Sequence, residues 1–172
     1  MSDQIKHYLD RARAAALAGT LGAITEVEPV LAGLARTFEK IYREKNLAIA
    51  IAAAPGARFR GERQDLEEMA GNLVDNACKW AMHRVAIEVR VVQEDDRPRL
   101  RIVVEDDGPG LPETAMEDML KRGRRLDETK PGSGLGLSIV SDLAALYQGS
   151  LRLDTSALGG LCAVLELPGS IR

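Results

Sequence analysis

Residues 72–81 read NLVDNACKWA, and this stretch decides how the chain is interpreted. The surrounding segment 62–82 has apolar residues at helical spacing, so the pattern predicts an amphipathic helix. Its apolar stripe consists of Leu66, Met69, Leu73, Ala77 and Trp80. On the same helix Glu68, Asn72, Asn76 and Lys79 fall in line on another side. Two carboxamides and an ammonium beside an apolar stripe suggest a face that meets a polar ligand.

The composition indicates one domain with an aliphatic core. The chain has 172 residues, of which 45% are hydrophobic, 28% charged and only 3% aromatic. A net charge of −3 gives no global attraction to nucleic acid or to an anionic membrane. No apolar run of about 20 residues and no signal peptide are visible, so we expect no membrane contact. Cys78 and Cys162 lack metal-ligand spacing and are predicted to be free, buried thiols in a reducing compartment.

The rest of the chain alternates predicted helices and strands. Helical patterns cover 26–46 and 134–148, and a basic-faced helix is predicted in the first 19 residues. Extended segments are predicted at 47–53, 55–61, 85–93, 99–106, 149–155 and 161–168, with a Gly159-Gly160 turn between the last two. Because several strands are joined as hairpins, the order favours a two-layer α/β sandwich over a doubly wound parallel sheet.

Two glycine-rich turns carry further chemistry. In residues 132–138, GSGLGLS, three glycines at alternate positions come directly before a predicted helix. The free N–H groups of a first helical turn favour a phosphate. A linker or a simple helix cap is the alternative. Residues 105–112, EDDGPGLP, place carboxylates at a strand end beside a sharp turn, where one can accept a hydrogen bond from a ligand amine. Asp107 is the preferred acceptor and Asp106 the second choice, while a plain turn acid is the alternative.

The segment between these turns is long and basic. It contains Arg122, Arg125 and Lys130, which predicts a lid that closes over phosphates, although solvated surface charges would give the same sequence. On the 62–82 helix, Asn oxygens suit Mg²⁺ and Lys79 suits a phosphate. Trp80 could flank a flat heterocycle or belong to the core stripe.

These segments together, in this order, resemble the N, G1 and G2 boxes of the sensor histidine kinases, which belong to the GHKL superfamily. The resemblance covers roughly residues 26–168, and the details are most similar to the PhoQ-type branch. It implies a Bergerat-type α/β fold, in which a mixed sheet packs on three helices with an ATP lid. Within this frame residues 1–19 resemble the tail of a dimerisation helix, and residues 20–172 the ATP-binding catalytic domain.

The resemblance also implies a role for individual residues. Asn76 would be the Mg²⁺ ligand, with Asn72 beside it contacting phosphate or metal, and Lys79 and Arg122 would reach phosphate. Trp80 takes the aromatic position near adenine, and Asp107 would bind the adenine amino group. The glycines and backbone groups expected to shape the ATP or ADP site are Gly108, Gly110, Gly132, Gly134, Leu135 and Gly136. Met119 and Leu120 stand where the F box usually has a phenylalanine.

Asn72 also bears on the reaction. Gyrase-type GHKL ATPases resemble this chain but carry a glutamate there as general base, and an amide cannot abstract a proton. The resemblance therefore implies transfer of the ATP γ-phosphate to a histidine, with a response regulator as later partner. Neither His7 nor His83 lies in an H-box context, so we expect a catalytic fragment that is separate from its phosphoacceptor. Because most of the dimerisation helices are missing, we expect a monomer, and we expect it in the cytoplasm as part of a membrane-anchored kinase. The alternatives are a GHKL-type ATPase, an anti-sigma-type serine kinase and a module that binds nucleotide only for regulation.

Overall fold

A computed structural model describes residues 22–120 and 135–171. Helices are named α1 to α4 and strands β1 to β7 in chain order. The elements are β1 (Thr25–Glu26), α1 (Val27–Ile41), a 3-10 turn (Arg43–Lys45), β2 (Ala48–Ala53), β3 (Ala57–Phe59), α2 (Arg63–Trp80), β4 (Arg84–Glu94), β5 (Arg97–Asp106), α3 (Glu113–Leu120), α4 (Leu135–Leu146), β6 (Ser150–Thr155) and β7 (Leu161–Ile171).

The strands form one seven-stranded mixed sheet. Its order is β1-β3-β7-β5-β4-β2, and β6 pairs with β7 beside this path. Strand β2 runs parallel to β4, whereas the hairpin of β4 and β5 and the pairings of β7 are antiparallel. The predicted mixed sheet is therefore confirmed, and the charged turn between β4 and β5 makes the expected hairpin.

The core lies between this sheet and a layer of helices. Alternate residues of β5, Leu100, Ile102 and Val104, are buried on the helix side of the sheet. Leu66, Met69 and Leu73 of α2 are buried with them, and α2 also contacts α1 and α4. Each such fully buried side chain contributes about 1.5–3 kcal/mol. The predicted two-layer α/β sandwich is confirmed, with a short α3 added to the three longer helices among the described residues.

The ends of α2 differ from the simple sequence pattern. Trp80, which the apolar spacing allowed in the core stripe, is 38% exposed at the last position of the helix. Cys78 is buried instead, and burial raises the pKa of its thiol to about 12. Cys162 is half-buried rather than buried, and both cysteines are free. No helix in the described part of the chain combines the length and apolar character needed to cross a membrane.

Candidate functional site

Asn72 joins α2 to the start of α4. Its Nδ2 donates to the backbone oxygen of Glu68 at 2.8 Å, which fixes the orientation of the carboxamide. Its Oδ1 lies 3.1 Å from where a Cβ on Gly136 would stand. The helix with the two asparagines and the helix that follows the glycine-rich turn therefore meet at Asn72 and Gly136, two residues that the sequence assigned to one site.

Asp106 is a buried carboxylate at the end of β5. It is 2% exposed, and its Oδ1 accepts hydrogen bonds from the N–H groups of Gly108 at 2.9 Å and Leu161 at 3.4 Å. Burial raises its pKa, and these two N–H groups act in the opposite direction. No donor in residues 22–120 and 135–171 reaches its Oδ2. This oxygen is also not one of the described side-chain atoms that are buried without a partner, so it is accessible and suits a ligand donor.

Asp107 has a different environment. Its Oδ1 accepts from the backbone N–H groups of Met82 at 2.8 Å, His83 at 3.0 Å and Arg84 at 3.2 Å. Its Oδ2 also accepts from the N–H of His83, at 3.1 Å. Desolvation would raise the pKa of Asp107, but these N–H groups outweigh it and lower the pKa to about 2. The carboxylate thus fixes the connection between α2 and β4, and its use as the adenine acceptor stays a prediction that this geometry disfavours.

Three glycines shape the backbone around the end of β5, and two of them lie close to Asp106. A Cβ on Gly108 would lie 2.3 Å from the backbone oxygen of Trp80, and one on Gly160 would lie 2.0 Å from Oδ1 of Asp106. Gly110 has a φ of +74°, a conformation that residues with a side chain rarely adopt. The predicted wall-forming glycines Gly108 and Gly110 therefore have steric reasons to be glycine, and Gly160 joins them.

Lys79 and Trp80 lie next to this wall. The Nζ of Lys79 is 5.8 Å from the centroid of the Trp80 ring, within the range of a cation–π contact. The partial exposure of Trp80 leaves part of its ring available to a flat ligand.

The described residues hold no group of three or more His, Cys, Asp or Glu side chains suited to a metal. The side-chain oxygens of Asn72 and Asn76 are neutral, and together with phosphate and water they would form a donor set that Mg²⁺ accepts.

The comparisons with known proteins agree with this geometry. Residues 61–171 match the family described as histidine kinase-, DNA gyrase B- and HSP90-like ATPases. The chain belongs to this family. Sensor protein PhoQ of Escherichia coli strain K12 is 38% identical over 162 residues, which are 93% of this chain and 32% of that protein. The chain therefore spans about a third of the length of the curated relatives that it matches.

Solved structures of family members share the fold. The ATP-binding domain of PrrB from Mycobacterium tuberculosis has a TM-score of 0.70 and 25% identity, covering 86% of this chain and 97% of that one. Full-length ShkA in complex with AMPPNP has a TM-score of 0.73 and 25% identity, covering 99% of this chain and 37% of that one. The resemblance to GHKL histidine kinases inferred from the sequence is confirmed.

Other family positions predicted from the sequence divide into two groups. Arg122, Gly132, Gly134 and the dimerisation-helix tail at 1–19 lie outside the described residues, and of Leu135 the structure describes only that it begins α4. Met119, at the F-box position, is 6% exposed, and Met116 is buried beside it. These two methionines anchor α3 in the core without the family's phenylalanine.

Sequence reasoning missed several residues that shape this site. Gly160 was predicted only as part of a turn, whereas the structure places it against Asp106. Lys45 and Tyr42 lie outside every box, and both make hydrogen bonds to α2. Asp106 was the second choice in the sequence, and a signal for preferring it did exist, because continuing the alternation of buried residues along β5 places Asp106 on the buried face and Asp107 beyond it.

Proposed function

We propose that this chain is the catalytic domain of a sensor histidine kinase, which binds ATP with Mg²⁺ and transfers the γ-phosphate to a histidine on a separate dimerisation segment. The observation that carries this proposal is the contact of Asn72 with Gly136, because it brings an amide to the start of the helix where phosphate binding is expected. An amide at this point can orient a phosphate or a metal but cannot activate water.

In this proposal the adenine end of the nucleotide lies at the close of β5. The unused Oδ2 of Asp106 accepts the exocyclic amine, while Gly108 and Gly160 let the backbone pack closely around its Oδ1. Trp80, whose backbone oxygen lies against Gly108 and whose residue is 38% exposed, is the aromatic residue proposed to border this position. Asp106 is preferred to Asp107, whose two oxygens already accept four backbone hydrogen bonds.

The phosphate end then runs along α2 toward α4. Asn76 and Asn72 offer neutral oxygens to Mg²⁺, Lys79 offers a positive charge, and Arg122 with the backbone of Gly132, Gly134, Leu135 and Gly136 completes the expected set. Bound Mg²⁺ neutralises charge on the phosphates. An imidazole is a sufficient nucleophile near neutral pH without a strong base, so positioning accounts for most of the catalysis.

This function implies the remaining partners. The phosphoacceptor is neither His7 nor His83, and a response regulator receives the phosphate afterwards. Because ATP and such regulators are found in the cytoplasm, we place this domain there, as part of a kinase whose parent chain is anchored in the membrane. The isolated chain is expected to be a monomer.

A two-step experiment tests the proposal. First, the chain is titrated with Mg–ADP and with Mg–GDP, and binding is followed by calorimetry and by the fluorescence of Trp80, the one tryptophan in the sequence. Second, it is incubated with γ-labelled ATP and a histidine-bearing dimerisation segment from a sensor kinase, and acid-labile label on that segment is measured.

We expect saturable binding of ADP over GDP, followed by label on the dimerisation segment. Steady release of phosphate without transfer would support the ATPase alternative, and label stable to acid on a serine substrate would support the serine kinase alternative. Binding with neither reaction would leave a regulatory nucleotide module. The absence of ADP binding in calorimetry would refute the nucleotide site itself.

A further inference from the structure

Lys45 lies in the 3-10 turn between α1 and β2, outside the family's sequence boxes, and it binds the carboxyl end of α2. Its Nζ donates to the backbone oxygens of Cys78 and Lys79, both at 2.8 Å. These carbonyls belong to the last turn of the helix, where the backbone leaves acceptors without partners and the helix dipole favours a positive charge. Lys45 is half-buried, and its ammonium is 5.9 Å from the ring centroid of Tyr42.

Tyr42 makes the second attachment. Its hydroxyl donates to Oδ1 of Asp75 at 2.6 Å, and Asp75 is the residue before Asn76. Desolvation and this hydrogen bond raise the pKa of the tyrosine, so the hydroxyl remains a donor at neutral pH. The turn between α1 and β2 therefore contacts α2 on both sides of Asn76, through the side chain of Asp75 and through the backbone oxygens of Cys78 and Lys79.

The charge of Lys45 also acts on the carboxylate at the end of β5. Burial raises the pKa of Asp106, and the positive charge of Lys45 opposes that shift. This effect is the smallest of those acting on the pKa of Asp106, so the link of Lys45 to the proposed site is its pair of hydrogen bonds to α2.

We infer that Lys45 and Tyr42 are positioning residues that fix Asn76 and Lys79 for the phosphates of the nucleotide. This inference rests on the proposed function. Neither residue touches the nucleotide in this arrangement. Without Lys45 the last turn of α2 loses the donor for two carbonyls and is free to fray, and Lys79 lies in that turn. The adenine of the nucleotide is proposed to bind at β5 and its glycines, whereas the hydrogen bonds of Lys45 go to α2. Loss of Lys45 should therefore weaken binding of the phosphates rather than binding of adenine.

The test compares four variants of the full chain. Lys45→Met removes the donor at similar length, Lys45→Arg keeps the charge and two N–H groups, and Tyr42→Phe removes only the hydroxyl. Lys40→Met is the matched control, since Lys40 is an exposed lysine in the last turn of α1. Each variant is measured for affinity to Mg–ADP and to adenosine by calorimetry, for thermal unfolding, and for Trp80 emission and anisotropy.

We expect Lys45→Met to weaken Mg–ADP binding about fivefold to tenfold while adenosine binding changes less than about twofold, because a charged cap stabilises only the helix end. Lys45→Arg should recover most of the loss, and Tyr42→Phe should give a smaller decrease of about threefold. Trp80 anisotropy should fall in Lys45→Met, since the tryptophan ends the same turn. Lys40→Met should match the wild type in all measurements.

Specific outcomes would overturn the inference. If Lys45→Met binds Mg–ADP as the wild type does, the positioning role fails. If it loses ADP and adenosine equally, or if arginine gives no rescue, Lys45 supports only the general fold. These results differ from failure of the proposed function, in which the wild type itself does not bind Mg–ADP.

Discussion

Asp106 and Asp107 are neighbours in sequence, yet their carboxylates have opposite surroundings. Asp106 points into the core, where burial raises its pKa, while backbone N–H groups of the α2–β4 connection lower the pKa of Asp107 to about 2 against the effect of desolvation. One carboxylate is thus kept at a cost in folding free energy, and the other stabilises the chain. Such a division is typical of a ligand-binding group placed beside a structural one.

Replacing Asp106 should weaken binding of ADP without weakening binding of pyrophosphate. In Asp106→Asn the two N–H donors keep an oxygen acceptor, but Oδ2 becomes an amide that cannot accept the adenine amine. We expect Mg–ADP affinity to fall about tenfold or more, since the ligand then faces an unpaired donor, whereas pyrophosphate affinity stays the same. Calorimetry with both ligands checks this. An equal loss for ADP and pyrophosphate would contradict the adenine role.

Asp107→Asn should lower the stability of the chain and leave its selectivity for adenine intact. This change weakens charge-assisted bonds to Met82, His83 and Arg84, so the free energy of unfolding should fall by about 1–3 kcal/mol at neutral pH. The selectivity for ADP over GDP should remain, because the adenine acceptor is intact. Chemical denaturation measures the first quantity and competition binding the second. Loss of adenine selectivity at unchanged stability would restore Asp107 as the acceptor.

The opposite pKa shifts of the two aspartates predict that their substitutions change protein stability with opposite dependence on pH. The pKa of Asp107 falls from 3.8 to about 2 on folding, so its stabilisation is complete above pH 3.8 and is lost as pH falls toward 2. The stability difference between wild type and Asp107→Asn should therefore shrink across that window. The pKa of Asp106 is raised, so Asp106→Asn should be more stable than the wild type at neutral pH, and the gap should close on acidification. Denaturation curves at several pH values test both, and parallel behaviour of the two variants would contradict the assignment.

Gly108 should be intolerant of a side chain. A methyl group there would lie 2.3 Å from the backbone oxygen of Trp80 and force the β5 end away from α2. We expect Gly108→Ala to lower the free energy of unfolding by about 1–3 kcal/mol and to weaken ADP binding. The matched control is Gly33→Ala in α1, where the nearest atom is the end of the Arg36 side chain at 3.8 Å. That change should stabilise the chain by about 0.5–1 kcal/mol, as alanine does in a helix. Tolerance at Gly108 equal to that at Gly33 would mean the close approach is not required.

Sequence patterns predicted the elements well because their signals are local. Helical spacing predicted a helix at 62–82, where the structure has Arg63–Trp80, and the hairpin turns predicted a mixed sandwich. Short strand β1 was not predicted, since two residues carry no periodicity. The choice between Asp106 and Asp107 depended on strand β7 and the α2–β4 connection, which supply the N–H partners. Contacts of this kind, like those of Lys45 with α2, join segments that are far apart in the chain, so a local sequence pattern does not predict them.

Asn76 provides the test of the metal assignment. As a neutral oxygen donor on α2 it is proposed to complete the ligand sphere of Mg²⁺ held mainly by phosphates and water. In Asn76→Ala we expect the Mg²⁺-dependent gain in ADP affinity to fall about tenfold or more, while binding of adenosine is unchanged. Calorimetric titrations of ADP with and without Mg²⁺ measure that gain directly. Gln64→Ala, on the exposed first turn of the same helix, is the control and should keep the full gain. If Asn76→Ala also keeps it, the metal is held by other groups, and Asn72, whose oxygen lies beside Gly136, is the next residue to substitute.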